Sequence, residues 1–317
     1  MREFTDNVYA LGQIVKRCLK MFFKDGMSVF FSLLAPLIVF LLYVLFLGDI
    51  QVDSVMSSFP DGVEVSKSAV KGFVDSWMTA GVLGVGCITV SFSANSIMVQ
   101  DKQRGKILDC LVSPVKRSTV TLAYFLFNYA VTVCICTMVY AVCLIYLAAR
   151  GAFFLTAADV FAAFGIILYA SLSSTLITVF VSSFVKTEAA LGGLSGIISA
   201  AVGFLLGAYM PLSIFPKAIQ YISCLLPGTH AAGMFRVILM NGALENLTAG
   251  WPSAVKTSLE DAFSLKIDFF GKNAGIEVMA IYVAVAIIVF LMLNVLLGTK
   301  LLQLSDGKKL VKRRVGK

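Results

Sequence analysis

The chain has 317 residues, of which 59% are hydrophobic and only 14% charged, with a mean hydropathy of +0.90. That apolar share lies well above the roughly 45–50% of soluble domains, which sets aside an ordinary soluble globule and a disordered chain alike. The net charge of +8 acquires meaning only once the basic residues are placed along the chain.

The first predicted element is an amphipathic helix over Asn7–Lys24, with Val8, Leu11, Val15, Leu19 and Phe22 at helical spacing and Gln13, Lys16, Arg17 and Lys20 largely turned away. This is the pattern of a helix lying along a membrane surface. Asp25-Gly26 then turns the chain into the first of six apolar runs: Met27–Gly48, Ser76–Val99, Leu122–Ala148, Val160–Val185, Ala189–Met210 and Val278–Gly298. None contains Asp, Glu, Lys or Arg. A bilayer core of about 30 Å needs about 20 helical residues to cross, and a helix bonds its own backbone there. The expected fold class is therefore an all-α polytopic membrane protein with six transmembrane helices. No small-residue cleavage site follows the basic arm, so the first run reads as a span and not as a cleaved leader.

Eighteen of the 26 Lys and Arg fall on one side of this topology, in residues 1–26, 100–121, Lys186 and the basic tail 299–317. The other side holds 11 of the 18 acids. The positive-inside rule makes the first side cytoplasmic, with both termini inside. The tail then reads as a topology anchor touching anionic lipid, not as a nucleic-acid patch. The external side takes the loop 49–75 and the segment 211–273. The seven cysteines avoid the external loops Asp49–Asp75 and Asn241–Asn273, so no disulfide framework is expected.

Within the first span, Pro36 leaves two readings open, a kink or a proline accommodated by neighbouring helices. Spans two and five are rich in glycine, and Gly192/Gly196 and Gly203/Gly207 have the spacing for close helix approach, within one chain or between subunits. Between spans five and six, the apolar stretches Ala218–Leu226 and Ala231–Met240 are too short to cross. Two re-entrant or interfacial helices joined at Leu226-Pro227-Gly228 are expected, followed by a cap in which Trp251, Phe263, Phe269 and Phe270 meet the membrane surface. Pro211, Phe215, Pro216, Pro227 and the lone His230 make this segment a candidate external gate.

No span carries a charge at mid-depth, which argues against a self-powered ion-coupled carrier. Asn95 and Asn128 are possible pathway groups, although helix–helix hydrogen bonds are the commoner use of such residues. Catalytic and metal-ligand patterns are absent, and no GxxxxGK[ST] loop is present to hold ATP. Work done by this chain needs an outside energy source.

The informative cytoplasmic segment is 100–117, QDKQRGKILDCLVSPVKR. It predicts a short mixed-charge helix with an apolar strip of Ile107, Leu108 and Leu111, ended by Pro114, and so suited to docking into another protein. Asp101, Gly105, Asp109, Leu111, Ser113, Pro114, Val115 and Arg117 match the coupling-helix motif of permease subunits in type-2 ABC exporters, which this segment resembles. Lys106 stands where that motif has a small hydroxyl, and the acids are Asp where Glu is commoner. The stretch Tyr209–Pro216 followed by Leu225–Thr229 resembles the same family's external re-entrant region.

The resemblance implies a permease without its own ATPase site, paired with a second copy or a homologue. It implies a separate ABC ATP-binding subunit that binds ATP and Mg and docks on Asp101, Arg104, Gly105, Lys106, Ile107, Leu108, Asp109, Leu111, Pro114 and Arg117. Uncharged spans fit export of a hydrophobic or amphipathic compound, such as a drug-like molecule, lipid or lipopeptide, across a bacterial plasma membrane. The alternative from another class is a nucleotide-independent channel or scaffold whose cytoplasmic loop binds a regulatory protein.

Overall fold

The computed structural model describes residues 2–57, 59, 66–107, 115–269 and 272–304. Helix α1 (Arg2–Lys24) precedes α2 (Gly26–Leu42), which continues through a π-helical turn at Tyr43–Leu47 into α3 (Gly48–Met56). Then come α4 (Lys67–Ala94), α5 (Ser96–Gln103), α6 (Arg117–Ala149), α7 (Ala157–Phe184) and α8 (Glu188–Leu205). A 3-10 turn at Leu212–Ile214 leads to α9 (Lys217–Cys224), α10 (Pro227–Leu247) and α11 (Ser253–Ala262). A hairpin of β1 (Ile267–Phe269) and β2 (Lys272–Ala274), antiparallel with Ile267 opposite Ala274, leads into α12 (Ile276–Leu304).

Among the described residues, six helices are long and apolar enough to cross a membrane: Gly26–Met56, Lys67–Gln103, Ser118–Ala149, Ala157–Phe184, Glu188–Leu205 and Ile276–Leu296. Their starts are written locally. Asp25 caps α2 by accepting from the Met27 amide (3.2 Å) and the Ser28 hydroxyl (2.7 Å). Thr156 and Asp159 form a capping box at α7, and Thr187 caps α8 through the Ala190 amide. Pro36 lies buried inside α2 without breaking it, and the irregularity falls at Tyr43–Leu47 instead.

Several helices overrun the apolar runs, whereas α8 ends at Leu205, short of the Met210 expected for span five. Much of the stretch read as the external loop 49–75 is helical, because α3 continues to Met56 and α4 begins at Lys67. Charge at Asp49, Asp53 or Lys71 does not stop these helices. Val52, Val55, Val70, Phe73 and Val74 bury one face while Asp53 and Ser54 stay exposed.

Helix α4 is the axis of the molecule. Its most apolar window is 83% buried, against 22%, 17% and 11% for the first, fifth and sixth spans, which face outward. Close approach to α4 depends on small residues. A Cβ on Gly84 would lie 2.8 Å from the Ala232 Cβ of α10, and one on Gly81 3.0 Å from Ala208. Gly192, Gly193 and Gly196 of α8 meet nothing within 4 Å. The glycines of span two thus pack within the chain, and that stripe of span five is open.

The segment between spans five and six departs from the two short helices expected. Helix α10 runs 21 residues, through Asn241-Gly242 to Leu247, and packs more extensively against α4 than any other helix does. It meets α9 at 92°. It also brings a charge into the bundle, since Arg236 is fully buried. The expected membrane-surface aromatics pack on protein: Phe263 sits edge-on against Phe73 (5.0 Å) and Trp77 (5.8 Å), and Trp251 against Phe59 (5.4 Å). Large apolar side chains of the chain itself outcompete lipid there. The Phe269 side chain and Phe270 lie outside the described residues.

Candidate functional site

Helix α1 packs on α6 through an i, i+4 stripe of Ile14, Cys18 and Phe22, with Phe22 edge-on to Phe127 at 6.1 Å. This register leaves Val8 and Tyr9 exposed and turns Arg17 inward, against the expectation that Arg17 points away. Arg17 forms an ion pair with Asp101 on α5. The Asp101 carboxylate is fully buried and also accepts from the Tyr124 hydroxyl of α6 at 2.8 Å, with the Lys106 ammonium 3.6 Å away. A buried carboxylate is tolerated only when paired and hydrogen-bonded. Both hydrogen bonds fall on Oδ2, and Oδ1 is met only by the Lys106 ion pair.

Ten residues toward the N-terminus, a distance of roughly 15 Å along a helix, Asn7 accepts from the Lys116 amide (3.0 Å) and the Thr119 hydroxyl (3.3 Å). Helix α1 therefore holds the chain on both sides of the segment read as the docking helix: Arg17 before it and Asn7 after it. Gly105 lies in that segment with φ +77°, a left-handed conformation that disfavours any residue with a Cβ.

Helix α5 is also bonded to the spans behind it. The Lys102 ammonium donates to the carbonyls of Ser183 (2.6 Å) and Val185 (3.0 Å) at the end of α7, where a cation suits the negative end of the helix. The Glu188 amide at the start of α8 donates to the Gln103 side chain at 2.8 Å. One helix of eight residues thus touches α1, α6, α7 and α8. Arg104 is exposed and Lys106 partly so, whereas Ile107 is buried. Leu108, Asp109, Leu111 and Pro114, and the side chain of Arg117, lie outside the described residues.

Of the gate residues, Pro211 is buried, Phe215 and Pro227 half-buried and Pro216 exposed. His230 is fully buried behind the α9–α10 corner. Its Nε2 donates to the Cys224 carbonyl (2.8 Å), and its ring lies 4.1 Å from that of Tyr282 on α12, whose hydroxyl donates to the Leu225 carbonyl (2.9 Å). The carbonyls at the end of α9 are thus met from α10 and from span six. Arg236 reaches across to α8 and donates through Nη2 to the carbonyls of Leu206 (2.5 Å) and Gly207 (2.9 Å).

Asn95 and Asn128 belong to a buried network joining α4, α6 and α7. Asn128 donates to the Ser91 carbonyl (2.9 Å) and accepts from the hydroxyls of Ser91 (3.1 Å) and Thr132 (3.0 Å). Ser91 also meets Thr178 (2.5 Å), and Asn95 donates to Ser182 (3.1 Å). In this structure they join helices to one another.

Sequence reasoning missed Asn7, Arg17, Lys102, Gln103 and Tyr124. Their partners lie between 23 and 112 residues away, and no local pattern connects them.

None of the curated proteins compared matches the chain. A family model described as ABC-2 family transporter protein matches residues 50–297, from the end of the first span through the sixth. With six candidate spans among the described residues, α4 at their centre, and that match over most of its length, the chain belongs to the ABC-2 family and is a membrane subunit of an ABC transporter.

Proposed function

We propose that this chain is the permease of an exporter driven by a separate ATP-binding subunit, which docks on the face carrying α1 and α5. ATP and Mg bind that subunit, and both termini lie on the cytoplasmic side of a bacterial plasma membrane. The exposed Arg104 and the partly exposed Lys106, with Ile107, Leu108, Asp109, Leu111, Pro114 and Arg117, form the docking segment. Asp101 is buried, so it serves docking by fixing that segment to α1 and α6.

The observation that supports this reading is the bonding of α5. A displacement of residues 104–117 is transmitted through Arg17, Lys102, Gln103 and Asp101 to the surface helix and to spans three, four and five. Coupling requires that the ATP-binding subunit contact the two transport states differently. A segment tied to four helices has the connections to do this. Two copies of the chain, or this chain and a homologue, meet along outward-facing spans, with the open Gly192/Gly196 stripe of α8 as the seam. The α9–α10 corner, with Pro211, Phe215, Pro216, Pro227 and His230, forms the outer rim of the path. The cargo is hydrophobic or amphipathic.

The test is co-purification of the tagged chain with co-expressed ATP-binding subunits, then ATPase and transport assays in vesicles. Lys102→Met is expected to keep the complex and its hydrolysis while lowering transport per ATP severalfold. Unchanged transport per ATP in a well-folded Lys102→Met would refute the assigned path. A chain that binds no ATP-binding subunit and still passes cargo would overturn the exporter reading.

A further inference from the structure

On the face opposite α1, where α4 begins and α6 and α10 end, the chain forms an open cleft of about 660 Å3 that the transport cycle above does not use. Small-molecule sites span roughly 300–1,000 Å3. Lys71 and Asp75 reach it from one side of α4, four residues apart, and Arg150 from the residue that follows α6. Phe154 and Trp251 supply an apolar wall.

Asp75 is the group that points to a ligand. It is only 4% exposed. Its Oδ1 accepts from the Tyr146 hydroxyl at a long 3.4 Å. Its Oδ2 is ion-paired with Arg150 Nε at 3.5 Å, a contact too long for a hydrogen bond. A buried carboxylate held by one long hydrogen bond and by an ion pair with a partly exposed arginine keeps part of its burial cost, which a further donor at the cavity wall offsets. The Lys71 and Arg150 cations line the same space. A ligand that is only anionic meets Asp75 as a like charge, and one that is only cationic meets Lys71 and Arg150. A molecule with both charges matches both.

We propose that this cavity binds a small zwitterion, its ammonium group at Asp75, its acidic group at Lys71 and Arg150, and any apolar substituent against Trp251 and Phe154. Free amino acids and the phosphoethanolamine heads of lipids share this chemistry. The site stands on its own lining, independent of the direction of transport.

The test titrates the full chain in detergent with leucine and with phosphoethanolamine by calorimetry, using octanoate and octylamine as single-charge controls. At least one zwitterion is expected to bind saturably and tenfold or more tighter than either control. Trp251→Phe should abolish the accompanying tryptophan fluorescence change. Lys71→Met and Asp75→Asn should each weaken binding tenfold or more. Lys71 is half-exposed, so its variant tests the site even where Asp75→Asn fails to fold. Binding of leucine alone identifies an amino acid site, and binding of phosphoethanolamine alone a lipid-head site. Undiminished affinity in Lys71→Met, controls that bind as well as the zwitterions, or no saturable binding of either zwitterion overturns the proposal.

Discussion

Arg17 and Asp101 stand 84 residues apart in the sequence and meet as an ion pair between the surface helix and the end of the second span. The pair is asymmetric: the Arg17 side chain is 39% exposed and that of Asp101 not at all. Removing the arginine leaves a buried carboxylate with Tyr124 and a more distant Lys106.

Breaking a buried pair from one side costs about 3–5 kcal/mol, less where one partner is solvated. Arg17→Met is therefore expected to destabilise the chain by about 2 kcal/mol. Arg17→Met with Asp101→Leu should recover most of the loss, because an apolar replacement of the whole pair removes the stranded charge. Thermal unfolding in detergent, followed by tryptophan fluorescence, decides this. A double variant no more stable than the single one would show that the pair does not hold α1.

At Gly105 the left-handed backbone, φ +77°, sets an order among substitutions. Asn tolerates this region better than Ala, and an L-residue there costs about 1–2 kcal/mol. Transport per ATP should fall in the order Gly, Asn, Ala, with little change in expression. Equal performance of Asn and Ala would detach the glycine from the backbone argument.

The crossing of α4 and α10 predicts a contrast between glycines. Gly84→Ala sets a methyl 2.8 Å from the Ala232 Cβ, and overpacking of this kind costs about 1–3 kcal/mol. Ala232→Gly in the same chain should recover part of it. Gly196→Ala meets nothing within 4 Å and should shift the stability of the isolated chain by less than about 0.5 kcal/mol. Melting temperatures of the three variants check the prediction.

Arg236 holds the end of span five through two carbonyls, and the turn it grips needs Gly207 at φ +69°. Arg236→Met forfeits both bonds and is expected to cost about 2–3 kcal/mol. Arg236→Lys should rescue nothing, since a compact, strongly hydrated ammonium is harder to bury than a guanidinium. Gly207→Ala would place its Cβ 2.9 Å from Leu212 and 3.1 Å from Arg236 Nη2, so it should destabilise comparably. A Lys variant as stable as the parent would show that charge alone suffices at this position.

The sequence by itself determined the class, the six spans and the turn into the first span at Asp25-Gly26. Each is a local property: a span is a window of about 20 apolar residues, and a cap acts over three or four. The resemblance of residues 100–117 to a family motif was legible for the same reason, as a short run with a recognisable order of residues.

Only the tertiary structure decided which faces are inside. In a membrane, a surface against lipid and a surface against another helix are both apolar, so periodicity does not separate them. Phe30 and Phe31 are exposed while Phe73 and Phe127 are buried, and nothing in their local pattern distinguishes them. The rotation of α1 that turns Arg17 toward Asp101 was hidden for this reason. So was the length of α10: Asn241-Gly242 reads as a stop, yet Gly242 is where the helix passes so close to the Phe154 carbonyl that a Cβ would lie 2.0 Å from its oxygen. Buried charges such as Asp101 and Arg236 take their partners from across the bundle. Such contacts form only once the spans are packed.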